Sequence, residues 1–277
     1  MVIVVDQSVA SGADGPAEFA RDSRVIHVRD RGVGLARARN VGTAKAMSAG
    51  ATFVAFTDDD CTPTSGWLDA LVQPLRTDPD VGLVFGRTLS GTTEGPDAVI
   101  PSYTPPRESI YRGIASKPRV EGMGACMAIR VDAWRSVGGF DECLGAGTAL
   151  ASAEENDLCM RLLRSGFAVA ETPRAAVVHH GVRHGGSVDD MVAGYMRGTG
   201  AASAKMVRLC GYSSIRPLAA IAWRWMCGGT AVDTGPATRR WQRLRHFLRG
   251  AAIGSTMALD RRTGRFRSNA PAAHPPT

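Results

Sequence analysis

Three aspartates, Asp58, Asp59 and Asp60, stand in a row one residue beyond the apolar run at 52–56. Carboxylates so close together attract a hard divalent cation, Mg2+ or Mn2+, which can also hold phosphate oxygens. In extended chain Asp58 and Asp60 project to one side and Asp59 to the other. A solvated acidic turn is the bland alternative, and the apolar strand ahead tilts the balance, because ligands of open α/β sheets gather at strand ends. Asp6 closes a second apolar run, 2–5; alone it reads as a turn residue. His179 and His180 follow a third run at 175–178. Adjacent residues of a strand point opposite ways, so at most one of the two faces a site, where a neutral imidazole suits a metal such as Mn2+; a polar strand end is the alternative. Ser152-Ala153-Glu154-Glu155 opens an amphipathic segment. Ser152 and Glu155 can form a capping box there. Alternatively, Glu154 or Glu155 is a general base, kept ionised by a helix N-terminus. Asp157 and Arg161, four apart, can pair on the helix surface.

These residues need elements to position them. Runs at 2–5, 25–28, 52–56, 81–85 and 175–178 read as strands, and 34–49 and about 153–164 as helices. A helical pattern also begins at Trp67, with Pro74 expected to bend or end it. Strand and helix alternate, which predicts an α/β fold with a mostly parallel sheet flanked by helices. The Gly-, Pro- and Ser-rich stretch 89–120 reads as a long functional or mobile loop. Beyond about 187 the pattern is helical to roughly 258. The expected units are therefore a domain over 1–185, a helical C-terminal extension over 186–260, and a disordered tail over 261–277.

Composition narrows the classes. Hydrophobic residues make up 44% and charged residues 21% of 277, which is globular rather than fibrous or disordered. The longest strongly apolar stretch, 218–227, is half the roughly 20 residues that a bilayer requires, and it carries Arg224. No signal peptide is evident. The six cysteines contain no C-x-x-C, so neither a disulfide framework nor a zinc site is indicated, and a cytoplasmic chain is expected. The net charge of +7 sits in residues 235–277, which hold nine arginines and one acid; the remainder is near neutral, so a nucleic-acid binder is not indicated. The helix near 238–252 places Trp241, Leu244 and Leu248 on one face and Arg239, Arg243, His246 and Arg249 opposite. That layout suits peripheral contact with the inner face of a plasma membrane, or a basic-faced helix docked on the domain. Gly32-Val33-Gly34 mimics a dinucleotide fingerprint only in part, and no P-loop, G-x-S-x-G or H-E-x-x-H is present.

Taken in order, the motifs resemble a family-2 glycosyltransferase of the GT-A fold, over residues 1–185. Val4-Val5-Asp6-Gln7-Ser8 resembles its V-V-D-x-S strand end, and Gly34 to Gly42 its G-x-x-x-A-R-N-x-G helix. Asp58-Asp59-Asp60 resembles the D-x-D motif. Gly124-Ala125-Cys126-Met127-Ala128 and Gly138-Gly139-Phe140-Asp141-Glu142 resemble the G-x-N-M-A and G-G-F-D-E pair. Glu154 to Arg161 resembles E-D-x-D-L-x-x-R. Three departures stand out. The strand and helix that precede V-V-D in the family are missing, so the chain reads as N-terminally incomplete. Glu155 replaces Asp, and Cys126 replaces Asn.

The resemblance implies transfer of a sugar from a nucleoside-diphosphate sugar to an acceptor hydroxyl, with inversion and a divalent cation, Mn2+ or Mg2+. It implies that Asp6, Arg39, Asp58 and Asp59 line the nucleotide, that Asp58, Asp60 and His180 hold the metal, and that Glu155, or else Glu154, is the base. Gly124, Cys126, Trp134 and Asp157 fall on the acceptor side. The implied donor is a UDP-sugar first, with GDP and dTDP donors open; the implied acceptor is a saccharide or a lipid-linked or envelope molecule. Two rivals remain: a non-catalytic member that only binds a nucleotide or a partner, and a sugar nucleotidyltransferase. The second needs a basic phosphate loop after its first strand, whereas no basic residue follows Asp6 before Arg21.

Overall fold

The computed structural model describes residues 1–8, 22–92, 98–184, 186–227 and 239–267. Strands β1 (Val2–Asp6) and β2 (Val25–Arg29) pair in parallel. Helix α1 (Leu35–Ser48) packs on β1, where Gly42 comes close to Val5. After it come β3 (Phe53–Phe56), β4 (Cys61–Pro63), α2 (Trp67–Thr77) and β5 (Val81–Ser90). β6 (Ala98–Val99), β7 (Ser109–Tyr111) and a 3-10 turn (Ile114–Arg119) lead to β8 (Met127–Arg130), α3 (Val131–Ser136), α4 (Glu154–Arg164), β9 (Ala168–His179) and β10 (Arg183–His184). The last part holds α5 (Gly186–Cys210), α6 (Ile215–Cys227), α7 (Arg239–Thr256), β11 (Leu259–Asp260) and β12 (Arg265–Phe266).

The main sheet runs β3-β8-β5-β9-β4, with β7 also on β9. Its directions correct one expectation. Only the β5–β9 pair is parallel, and the pairs β3–β8, β5–β8, β4–β9 and β7–β9 are antiparallel. The α/β architecture stands, but the sheet is mixed, because β8, β4 and β7 return along neighbours without a crossover helix. β1 and β2 form a sheet of their own, and among the described residues neither pairs with β3.

Two-residue alternation sends side chains to two cores. Leu83, Phe85, Met127 and Ile129 join Phe56, Phe140, Leu158 and Leu162 on the face covered by α1 and α4. Val84, Ala128, Ala170 and Val177 join Leu71 and Leu75 of α2 on the other. This explains why α2 continues past Pro74. Proline inside a helix costs about 3 kcal/mol, whereas Leu71, Val72 and Leu75, all buried, contribute roughly 1.5–3 kcal/mol each. A third core joins α4 to the C-terminal helices through Met160, Ala201, Met206, Leu218 and Ile221.

Two stretches are more ordered than their composition suggests. Residues 89–120 contain the end of β5, β6, β7 and the 3-10 turn, although 93–97 lie outside the described residues. The disorder expected from 261 gives way over 261–267 to the β11–β12 hairpin. There Phe266 is buried, its N–H donates to Asp141 Oδ2 at 2.7 Å, and its ring lies 4.5 Å below Lys205 Nζ. The tail beyond 267 and most of the loop after Gln7 lie outside the described residues.

Candidate active site

Arg39, on the inner face of α1, is the centre. Its Nη2 donates to Asp58 Oδ1 at 2.8 Å and its Nη1 to Glu154 Oε1 at 3.0 Å. The guanidinium lies 5.8 Å from the Phe140 ring centroid. Gly124 closes its other side, where a Cβ would stand 2.7 Å from Nη1. One arginine thus ties the end of β3 to the first turn of α4. Its neighbour Asn40 clips the turn that carries Phe140: it accepts from the Phe140 N–H at 2.9 Å and donates to the Phe140 carbonyl at 3.0 Å.

Glu155, beside Glu154, is half-buried. Burial first, and then the charge of Glu154, raise its carboxyl to about 8, against the pull of Arg39. Ser152 is not the cap of α4. The N-cap is Ala153, in the left-handed region at φ 75°, and Ser152 Oγ donates instead to the Gly194 carbonyl of α5 at 3.1 Å. The capping box is therefore not formed, and Glu155 is not engaged in one. Ala151, at φ 65°, is a second left-handed residue in this loop; such strain costs about 1–3 kcal/mol each and gathers at functional sites. Tyr195 of α5 stands in the field of the same carboxylates: burial, then Glu155 and Glu154, push its phenol up to about 12.

Asp60 turns away from Arg39 toward β9. The antiparallel β4–β9 register sets Cys61 opposite His179. His179 Nε2 lies 3.2 Å from Asp60 Oδ2, while its Nδ1 lies 3.1 Å from the Pro101 carbonyl oxygen. A carbonyl can only accept, so Nδ1 donates. In the neutral ring the Nε2 lone pair then faces the carboxylate, as in a metal-binding histidine oriented by a backbone carbonyl. Gly181 forms the wall here: a Cβ would sit 2.2 Å from Asp60 Oδ2 and 2.9 Å from His179 Nε2. Cys61 completes a possible ligand triad, but burial and the charges of Asp58 and Asp60 push its thiol up to about 12. Asp60 and His179 are the donors suited to a hard ion. His179 rather than the expected His180 thus has its ring beside Asp60; the His180 ring is exposed, with Nε2 3.0 Å from Thr62 Oγ1. Along β9 Ala175, Ala176 and Val177 are all buried, Val178 is half-buried and His179 is buried; a run apolar on both faces gives no parity by which to choose between the two histidines.

The remaining expected site residues scatter. Asp59 is exposed. Asp6 closes β1 among its own neighbours: hydrogen bonds from Ser8, then Arg29, lower its carboxyl to about 2. Cys126 is fully buried, with Trp67 Nε1 donating to its sulfur at 3.3 Å. Trp134 packs against the core under Gly139. Asp157 and Arg161 are not a surface pair. Both are buried, with Nε to Oδ2 at 2.7 Å, and Arg161 also donates to the Val137 and Gly139 carbonyls. Lys205 of α5, fully buried and not foreseen, joins Asp157 Oδ1 at 2.6 Å and also Asp141. Burial, the largest influence, works to raise the Asp141 carboxyl, but Lys205, the Phe266 N–H and Arg161 together leave it lowered.

Removing one member of a buried charge set costs about 3–5 kcal/mol. For a chain of this size each kcal/mol moves Tm by about 2–4 °C. Lys205→Met is therefore expected to lower Tm by roughly 6–20 °C in a circular dichroism melt; an unchanged Tm would mean that the network contributes nothing.

Residues 1–138 match the family model described as glycosyl transferase family 2. The chain is 36% identical over 133 residues to the pre-mycofactocin glycosyltransferase of Mycobacterium tuberculosis, over 46% of this chain and 26% of the relative. It thus spans about a quarter of the length of the curated relatives it matches. Among solved structures, a mannosyltransferase from Pyrobaculum calidifontis in complex with GDP-Man and Mn2+ aligns at TM-score 0.55 and 17% identity, over 92% of this chain and 77% of that one. S. aureus TarS aligns at TM-score 0.55 and 13% identity, over 90% and 71%. At these identities the likeness is one of fold, and the fold is that of GT-A glycosyltransferases.

Proposed function

The chain belongs to glycosyl transferase family 2, and on that footing we propose that it moves a sugar from a nucleoside diphosphate to an acceptor hydroxyl, with a divalent cation and with inversion at the anomeric carbon. The observation that supports this reading is the Asp58–Arg39–Glu154 bridge, which holds the end of β3 and the first turn of α4 in one frame.

Asp60 and His179 would hold the cation, Mn2+ or Mg2+, which when bound supplies positive charge to the leaving diphosphate. The family likeness assigns Asp6 to the nucleotide base and Asp58 to the ribose; Arg39 holds Asp58 in place, while Asp6 is engaged by Ser8 and Arg29. Glu155 accepts the proton of the acceptor hydroxyl as its oxygen bonds to the anomeric carbon. The bond from that carbon to the diphosphate oxygen breaks, and its electron pair leaves with the nucleoside diphosphate. The acceptor is a saccharide or a lipid-linked hydroxyl. The nucleotide is read as UDP; GDP is the alternative with a specific observation behind it, the GDP-Man complex of the structural neighbour.

Calorimetry of UDP and GDP, with and without Mn2+, tests this. Binding of one of them is expected to strengthen by at least about tenfold with metal, and Gly181→Val, which fills the space between Asp60 and His179, should remove that gain. Equal affinity with and without metal would overturn the metal-dependent reading. Hydrolysis or transfer of the matching sugar nucleotide separates an enzyme from a nucleotide-binding relative that has lost catalysis.

A further inference from the structure

Helix α7 sits against α5 the opposite way round from its amphipathic pattern. The side turned to α5 carries Arg243, which is 6% exposed, and the glycines Gly250 and Gly254. A Cβ at Gly250 would stand 1.9 Å from the Arg197 carbonyl, and one at Gly254 2.5 Å from that of Ala201. The two helices meet backbone to backbone, which leaves no room for large apolar side chains between them. Ile253 reaches the third core and Leu244 and Phe247 are half-buried, but two large apolar side chains are turned outward: Trp241 is 75% exposed and Leu248 56%. At 3.6 residues per turn, Trp241, Arg245 and Leu248 share one face, roughly 200° around the helix from Arg243 and Gly250. Arg240, Arg245 and Arg249 are exposed on or beside that face, and no acid lies between Arg239 and Thr256. Burial first, and then the charges of Arg197, Arg245 and Arg249, hold the His246 imidazole below its usual range.

We propose that this face docks on the surface of an anionic lipid bilayer. An exposed indole beside a leucine, ringed by arginines, has the chemistry of a helix that lies in the interface plane, its apolar residues among the acyl boundary and its cations on the phosphates. Charge favours this occupant over a second copy. A twofold contact would bring each helix's arginines against the same arginines of its mate, with no acid on α7 to answer them. No helix among the described residues is long and apolar enough to cross a membrane, so the attachment is peripheral. The proposal is independent of the reading of the active site, because nothing in the Asp58–Arg39–Glu154 frame belongs to α7.

The test is co-sedimentation of the full chain with phosphatidylcholine vesicles, with and without phosphatidylglycerol. Binding to the anionic vesicles is expected at low salt, weakening steeply as salt rises. The double variant Trp241→Ser, Leu248→Ser should lose at least about tenfold in affinity and Arg245→Glu, Arg249→Glu a similar amount, since each arginine near such a surface is worth roughly fivefold. All four side chains face solvent, so the variants should melt with wild type. No pelleting at low salt, equal pelleting with neutral vesicles, or binding unchanged in the Trp241 and Leu248 variant would each overturn the proposal. A concentration-dependent dimer abolished by that variant would assign the face to a second copy instead.

Discussion

Turnover of Glu155→Gln is expected to fall by about 10²–10⁴-fold, the usual contribution of a positioned general base, while nucleotide affinity is retained. The geometry separates the two adjacent glutamates. Glu154 is engaged by Arg39 at 3.0 Å, so it is committed to the frame. Glu155 holds its proton to about 8 and must lose it before it can accept one. The sign of the pH dependence follows. The free enzyme is protonated at Glu155 below that value and active above it, so kcat/KM should rise with pH through about 8. Because the charge of Glu154 raises the Glu155 carboxyl, Glu154→Gln should move the rising limb to lower pH, provided that the fold survives. A profile flat from pH 6 to 9, or full turnover in Glu155→Gln, would remove Glu155 from the role. A larger loss in Glu154→Gln at its own pH optimum would transfer the role to Glu154.

Asp60→Ala is expected to abolish the strengthening of nucleoside diphosphate binding by Mn2+. Substitutions of groups that merely orient a ligand commonly cost about 10–100-fold in metal affinity, so loss of a direct ligand should cost at least about 10²-fold. The two histidines provide an internal control. His179→Ala should match Asp60→Ala, because Nε2 faces the carboxylate at 3.2 Å. His180→Ala should leave metal-dependent binding near wild type, since that ring is exposed beside Thr62. The reverse ranking, read by titrating Mn2+ against a fixed nucleotide concentration, would reinstate His180 and mean that β9 pairs with β4 in another register.

Much of the scaffold was legible because its signals are local. Apolar runs ending in Asp6 and in Asp58–Asp60, and the helix spacing around Arg39 and Glu155, need only neighbours in sequence to be read. What escaped depends on partners far along the chain. Strand direction was misjudged because an apolar run looks the same whichever way it is later paired. Cys126 lies opposite Trp67 and Asp157 opposite Lys205, and no spacing rule reveals such pairs. The motif position of Asp157 suggested an acceptor contact, yet the side chain is consumed by structure. The amphipathic pattern of α7 is legible in the sequence, but which face docks is decided by the backbone approach at Gly250 and Gly254. Hydrophobic periodicity does not register that approach.

The Asp141–Lys205–Asp157 set also dictates an order of events as the chain leaves the ribosome. Asp141 and Asp157 are synthesised well before their shared cation, Lys205 following Asp141 by 64 positions, and the Phe266 N–H that completes the Asp141 shell follows it by 125. Until Lys205 emerges, Asp157 has Arg161 as a partner but Asp141 lacks its cation, so burying the two carboxylates together leaves one negative charge unanswered. The nascent chain therefore completes this buried set only once α5 has left the ribosome.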